Sequence, residues 1–204
     1  LEEVHEQYLL PPLHASWTTR RKSTHFKCYE EVAKRFGKLI GVDPWLINPM
    51  FDKYGVVDLA TPAGIDALVQ RVDAMLTKVK KKYKEYGIKE RPFVVIKADN
   101  RTSGNAILSV RDVKDLAAKL RKLGAGLEAS PAPLELILQE GVLTNERVND
   151  AVAEPVVYMM DRYVVGGFYR MHAERGQDED LSAPGSRYVP LAFAESCLLY
   201  TSDA

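Results

Sequence analysis

The chain has 204 residues, 46% hydrophobic and 27% charged, the mix of a globular protein with one substantial domain or two small ones. Its 28 basic and 28 acidic side chains cancel to a formal net charge of zero, which gives no support to a nucleic-acid or anionic-membrane partner. The longest apolar runs are too short to span a bilayer, and Leu1-Glu2-Glu3-Val4 is acidic where a secretion signal would be basic and then apolar. Cysteines occur only at Cys28 and Cys197, so no disulfide framework is indicated and a cytoplasmic home is expected.

The first segment holds Pro11-Pro12, Trp17 and the basic cluster Arg20-Arg21-Lys22. A helix is expected next, because Tyr29, Val32, Phe36, Leu39 and Ile40 recur at three- and four-residue spacing, with Gly41 as its stop. Asp43-Pro44-Trp45-Leu46-Ile47-Asn48-Pro49 follows, and its two prolines prevent a long regular element. The clearest helix runs from about 63 to 86, with one stripe at Ile65, Leu68, Val69, Val72, Met75, Leu76, Val79 and Tyr83. Pro62 suits its first turn and Gly87 ends it. The run Lys78, Lys80, Lys81, Lys82, Lys84 lies mainly on the other face and reads as a solvated surface.

Strand patterns then take over. Pro92–Lys97 is a buried strand ending in a charge, a polar loop leads to a second strand at 106–110, and Asp112 caps a helix whose Val113, Leu116, Ala117, Leu120 and Leu123 face the core. Residues 124–133 read as a flexible connection and Leu134–Gln139 as a third strand. Val156–Met160 and Tyr163–Met171 form a hairpin turning near Asp161-Arg162, and 188–193 is a further strand.

Three places carry candidate chemistry. Lys97 ends a strand beside a loop with free backbone N–H groups, a cradle suited to polyphosphate, although lysine also ends strands simply to reach water. The segment Gln139-Glu140-Gly141-Val142 could line an adenine pocket with Glu140 on a ribose hydroxyl, or could be a core strand meeting solvent. Arg170 stands in an apolar strand and needs an anion, which a phosphate, a carboxylate ligand or Glu154 would supply; His172 lies on the same face as a polar strand end.

The order of these pieces resembles the ATP-grasp superfamily, with a second half laid out like glutathione synthetase. The closer resemblance is to the proteobacterial glutamate–cysteine ligase family. It is carried by Pro11-Pro12-Leu13-His14-Ala15, Trp17–Lys22, Asp43–Pro49, Lys97-Ala98-Asp99, the long run AVAEPVVYMMDRYVVGGFYRMH at 151–172, Ala183-Pro184-Gly185 and Val189–Phe193. The family's loop after Lys-Ala-Asp is richer in glycine, where this chain keeps Gly104 alone within Asn100–Ala106; Arg101 is a candidate compensating contact. Asp180 and Ser182 also stand where the family tends to show Asn.

The resemblance implies an α+β, ATP-grasp-like fold of antiparallel sheets with packed helices, incomplete at both ends. It implies a partial substrate or linker region at 1–60 and a nucleotide-binding region at 61–196. The implied reaction is ATP-dependent joining of the glutamate γ-carboxylate to cysteine through an acyl phosphate, with glutamate, cysteine and ATP as small-molecule substrates and Mg2+ bridging phosphates. Lys97 and Arg170 would neutralise phosphate charge. Lys97, Ser103, Gly104, Gln139, Glu140 and Val142 would hold ATP; Arg20, Arg21 and Lys22 would hold a substrate carboxylate or a phosphate, or alternatively form a solvated basic turn before the helix. The alternatives are another ATP-grasp carboxylate–amine ligase, or a non-catalytic nucleotide-binding relative with an altered loop. Residues 197–204 read as an in-frame translation of a sequencing adapter, expected not to pack on the core, and alternatively as a strand on the sheet.

Overall fold

The computed structural model describes residues 21–100, 107–127, 134–177, 179 and 185–191, and its first element is the helix α1 (Lys22–Ile40). This helix begins earlier than its apolar stripe and closes at Gly41, whose φ of 71° is the left-handed cap that glycine favours. Its N-cap, Arg21, makes no side-chain cap bond. A carboxylate distant in sequence does that work: Asp99 accepts from the Ser23 backbone N–H at 2.7 Å and from the Ser23 hydroxyl at 2.6 Å. An anion at the first turn answers both the unpaired N–H groups and the positive end of the helix dipole. The fully buried positions of α1 are small residues, Ser23, Ala33 and Gly37, and half-buried Phe26 stacks on the Phe51 ring, while Val32 and Leu39 of the apolar stripe stay 62% and 82% exposed.

A short 3-10 turn (Pro44–Leu46) leads into β1 (Phe51–Val56), a strand that the sequence reading did not anticipate. Then α2 (Pro62–Glu85) follows, with Thr61 as N-cap accepting from Gly64 N–H and Pro62 in the first turn. Among the described residues three strands and one helix follow in the first unit: β2 (Val94–Ala98), β3 (Ile107–Val110), α3 (Leu116–Leu127) and β4 (Glu135–Glu140). The connection expected from Gly124 onward is thus helical as far as Leu127.

The strands form one sheet in the order β1-β4-β2-β3, antiparallel throughout. The three expected strands are therefore neighbours, and β1 joins at the edge, beside β4, with an irregularity between Lys53 and Gly55. Alternation along the strands sends Val94, Ile96, Leu136 and Leu138 to one face. There they meet Leu68, Val72 and Leu76 of α2 and Leu116 and Leu120 of α3 in one continuous core. Each such side chain, fully buried, favours the fold by roughly 1.5–3 kcal/mol. The other face carries Val95, Lys97 and Gln139, each half-buried.

The second unit begins at Leu143, after the first ends at Val142. It contains β5 (Arg147–Val148), β6 (Ala151–Met160), β7 (Tyr163–His172) and β8 (Arg187–Pro190) in one antiparallel sheet of that order. Asn149 and Asp150, at φ 49° and 63°, make the turn between β5 and β6, the pair of positive φ angles that matches the strand twist. The long hairpin turns at Asp161-Arg162 as expected, with Asp161 at φ 53°. Its far end is open to solvent, with Tyr158, Met159 and Met160 all more than half exposed. The tail at 197–204 lies outside the described residues, as do Asp180 and Ser182.

Among the described residues no helix is long and apolar enough to cross a membrane.

Candidate active site

Lys97 sits one residue from the end of β2, opposite Ile137, on the face of the sheet turned away from α2 and α3. Gln139 is its diagonal neighbour on β4, close enough for long side chains to meet. The Lys97 ammonium donates to the Gln139 Oε1 at 3.1 Å, so two of the sequence candidates are brought into direct contact.

The same end of the sheet receives two members of the basic cluster. Arg21 pairs with Glu135 of β4 at 2.9 Å, and Lys22 donates from its ammonium to the Ala98 carbonyl at 2.6 Å. What holds them there is the Ser23–Asp99 lock, because Asp99 follows β2 directly and its own N–H donates to the Glu135 carbonyl at 2.7 Å. Asp99 is 1% exposed. The Lys97-Ala98-Asp99 run thus serves two ends: Lys97 faces the half-buried side of the sheet, while Asp99 pins the start of α1 to the strand. Ser23 and Asp99 were not among the sequence candidates. The acid two residues after the candidate lysine, in the run Lys97-Ala98-Asp99, is the sequence signal for Asp99; Ser23, in an ordinary cap-like position, gives none.

Glu140 is 4% exposed, and its Oε2 accepts from Trp45 Nε1 and from the Met50 N–H, both at 2.9 Å. Burial raises its pKa above the ordinary carboxylate value, and the two hydrogen bonds pull the other way. Its own N–H donates to the Met50 carbonyl and that of Gly141 to the Phe93 carbonyl, so both backbone donors are engaged. Val142 is 66% exposed. The Trp45 end of the turn is fixed a second time through Asp43, which accepts from the Trp45 N–H, the Lys82 ammonium and the Tyr86 hydroxyl. Those bonds, that from Lys82 first, lower the Asp43 pKa to about 2.

Arg170 belongs to the second unit. It stands directly opposite Glu154 in the hairpin and pairs with it at 2.9 Å through Nη1, while its Nε–H is buried and without an acceptor among the described residues. Two residues on, His172 accepts from the Glu174 N–H at Nδ1. Arg20, Ser103, Gly104 and Arg101 lie outside the described residues. Among the described residues no group of three or more His, Cys, Asp or Glu side chains could hold a metal ion.

Set beside known proteins, the whole chain, residues 1–204, matches the glutamate-cysteine ligase (GshA) family model. Its fold is similar to the 1.90 Å crystal structure of a "putative gamma-glutamylcysteine synthetase" from Methylobacillus flagellatus KT, at 45% sequence identity and a TM-score of 0.77. That match covers 93% of this chain and 46% of the other, so the chain spans less than half of that protein's length. No curated protein matches the chain.

Proposed function

The chain belongs to the glutamate–cysteine ligase family, and on that premise we propose that the complete protein uses ATP to join the glutamate γ-carboxylate to the amine of cysteine. A carboxylate oxygen attacks the terminal phosphoryl group of ATP, and ADP leaves. The cysteine nitrogen then attacks the acyl carbon of the mixed anhydride, the carbon–oxygen bond to phosphate breaks, and a proton leaves the nitrogen for water. An ATP-grasp architecture and a cytoplasmic setting go with this reading.

The observation that carries the proposal is the Lys97–Gln139 pair on the half-buried face of the sheet, with Arg21 and Lys22 held at the same end. Phosphoryl transfer needs positioning and positive charge more than covalent help from the protein. Lys97 would meet a phosphate, and Gln139 would orient it. With the Glu140 and Gly141 N–H groups engaged in the sheet, recognition of adenine falls to exposed Val142 and to carbonyl groups of the segment. Arg170, with a buried Nε–H lacking an acceptor, suits an anion of its own, a phosphate or the glutamate carboxylate. Among the described residues no group of three or more His, Cys, Asp or Glu side chains gathers, so Mg2+ would be held mainly by the phosphates with one or two carboxylates.

The test is ATP-dependent γ-glutamylcysteine formation by the complete protein, compared for Lys97→Ala and Lys81→Ala. A charge-assisted contact to phosphate is worth roughly 1.5–3 kcal/mol, or about ten- to hundredfold in ATP use. Lys81 sits on the exposed side of α2, where a substitution should change stability by less than about 0.5 kcal/mol. Equal, small effects of both would remove Lys97 from the site. A complete protein that neither binds nor hydrolyses ATP would favour the non-catalytic reading, in which the altered 100–106 loop no longer cradles phosphate.

A further inference from the structure

A cleft of about 350 Å³ opens at the start of β1, walled by α1 on one side, α2 on another and the proline-bounded turn before Phe51. That volume suits a small molecule. Asn48 lines it and is only 9% exposed, yet its Oδ1 has no donor among the described residues. A buried acceptor left without a donor is unfavourable, so an N–H or O–H carried in by a ligand is its natural complement.

The charges around the cleft are unequal in availability. Lys34 is paired with Glu30 at 3.0 Å, and Asp43 is engaged by Lys82, Tyr86 and Trp45. Lys78, also on the wall, makes no ion pair or hydrogen bond through its side chain with any described residue. The basic run of α2 reads from sequence as a solvated face; at this one position the ammonium borders a cleft instead. The apolar part of the wall comes from Met50, Met75 and Phe51, and thioethers and rings receive sulfur and short apolar groups well.

Location adds the second argument. Phe51 lies directly opposite Gln139 in the sheet, and Gln139 is the acceptor for Lys97. Glu140, the next residue, ties itself to Trp45 and Met50, both of which line the cleft. The cleft and the Lys97–Gln139 pair therefore flank one rung of the same ladder.

We propose that this cleft is the subsite of the amine substrate, an α-amino acid with a short sulfur-bearing or apolar side chain. The substrate carboxylate meets Lys78, an amine N–H donates to the Asn48 Oδ1, and the side chain rests on Met50 and Met75. A neutral amide acceptor holds the amine without favouring its protonated form as a carboxylate would, which leaves the nitrogen lone pair for attack. The choice of cysteine as that amino acid rests on the ligase reading above.

The test is binding to the complete protein of cysteine under reducing conditions, of glutamate, and of 2-aminobutyrate, which has the shape of cysteine but cannot form a mixed disulfide with exposed Cys28. Titration calorimetry on the parent, Lys78→Met and Asn48→Leu supplies the readout. Lys78 is exposed, so its variant keeps the fold even if Asn48→Leu does not. Cysteine and 2-aminobutyrate are expected to bind the parent, with affinity falling at least about tenfold in Lys78→Met as the charge-assisted contact is lost. Binding that ignores both substitutions overturns the subsite and leaves the ligase reading untouched. Glutamate binding in place of cysteine through the same residues overturns the amine assignment. No binding by any of the three overturns the subsite, while γ-glutamylcysteine formation by the complete protein tests the ligase reading separately.

Discussion

Glu140 shows how one side chain can be placed by needs that conflict. It is buried, yet it is the acceptor that holds both Trp45 and the Met50 N–H. Burial raises its pKa above the usual 4.5. A group whose folded pKa lies above its unfolded value favours the fold below the unfolded pKa, and that contribution is lost as pH rises through the folded one. Ionised Glu140 is therefore a cost at neutral pH that acid relieves. Glu140→Gln keeps an oxygen for the two N–H groups and removes the charge. Its urea midpoint should exceed that of the parent at pH 7, and the gap should narrow as pH falls toward 4.5. Measurements should stop there. Asp43, lowered from 3.8 to about 2, acts with the opposite sign, and its contribution is lost as pH falls through that interval. A variant less stable than the parent at pH 7, by the same margin at pH 4.5, would mean that the carboxylate shape matters and its charge does not.

Elements are where close packing becomes visible. Gly141 follows β4, and its N–H donates to the Phe93 carbonyl at 2.8 Å. A methyl group at that position would overlap the Phe93 ring, which is 1% exposed and has no open side to turn to. Gly141→Ala should cost about 1–3 kcal/mol, the usual range for overpacking a core. If the ring is the cause, Phe93→Leu combined with Gly141→Ala should cost less than the two separate losses added together, as chemical denaturation would show. The sequence hinted at a small residue here but not at what needed it, because the ring and the glycine are distant along the chain. The same limit explains α1 and β1. Periodicity located α1 but not its fully buried positions, since Ser23, Ala33 and Gly37 carry almost no hydrophobic signal; a Cβ on Gly37 would sit 2.6 Å from the Val42 carbonyl oxygen. Edge strand β1 alternates poorly, with Asp52, Lys53 and Gly55 inside it, and pairs with β4 alone. By contrast α2, β2 and β4 are buried along a whole face, and their apolar residues announce it. The candidate site divides in the same way. Lys97, Gln139 and Arg170 stand out as polar groups in apolar strands, whereas Ser23 and Asn48 become notable only through partners found, or lacking, in three dimensions.

At the scale of the whole chain, zero net charge meets two open apolar areas among the described residues. One is the α1 face of Val32, Phe36, Leu39 and Ile40; the other is the hairpin end at Tyr158, Met159 and Met160. Charge repulsion between copies is weakest when net charge is near zero, and contiguous apolar surface then decides whether molecules stay apart. The chain should consequently show concentration-dependent light scattering near pH 7. Leu39→Lys adds a charge in the middle of one apolar area at a position 82% exposed, so the concentration at which scattering begins should rise. Stability should change by no more than about 0.5 kcal/mol, because little is buried there. The two readouts separate the causes. Reduced scattering with an unchanged melting temperature assigns self-association to the α1 face. Unchanged scattering moves it to the hairpin, where Met160→Lys is the matching substitution. A melting temperature lowered by several degrees in Leu39→Lys would instead show that Leu39 is covered in solution, and would overturn the reading of α1 as an open face.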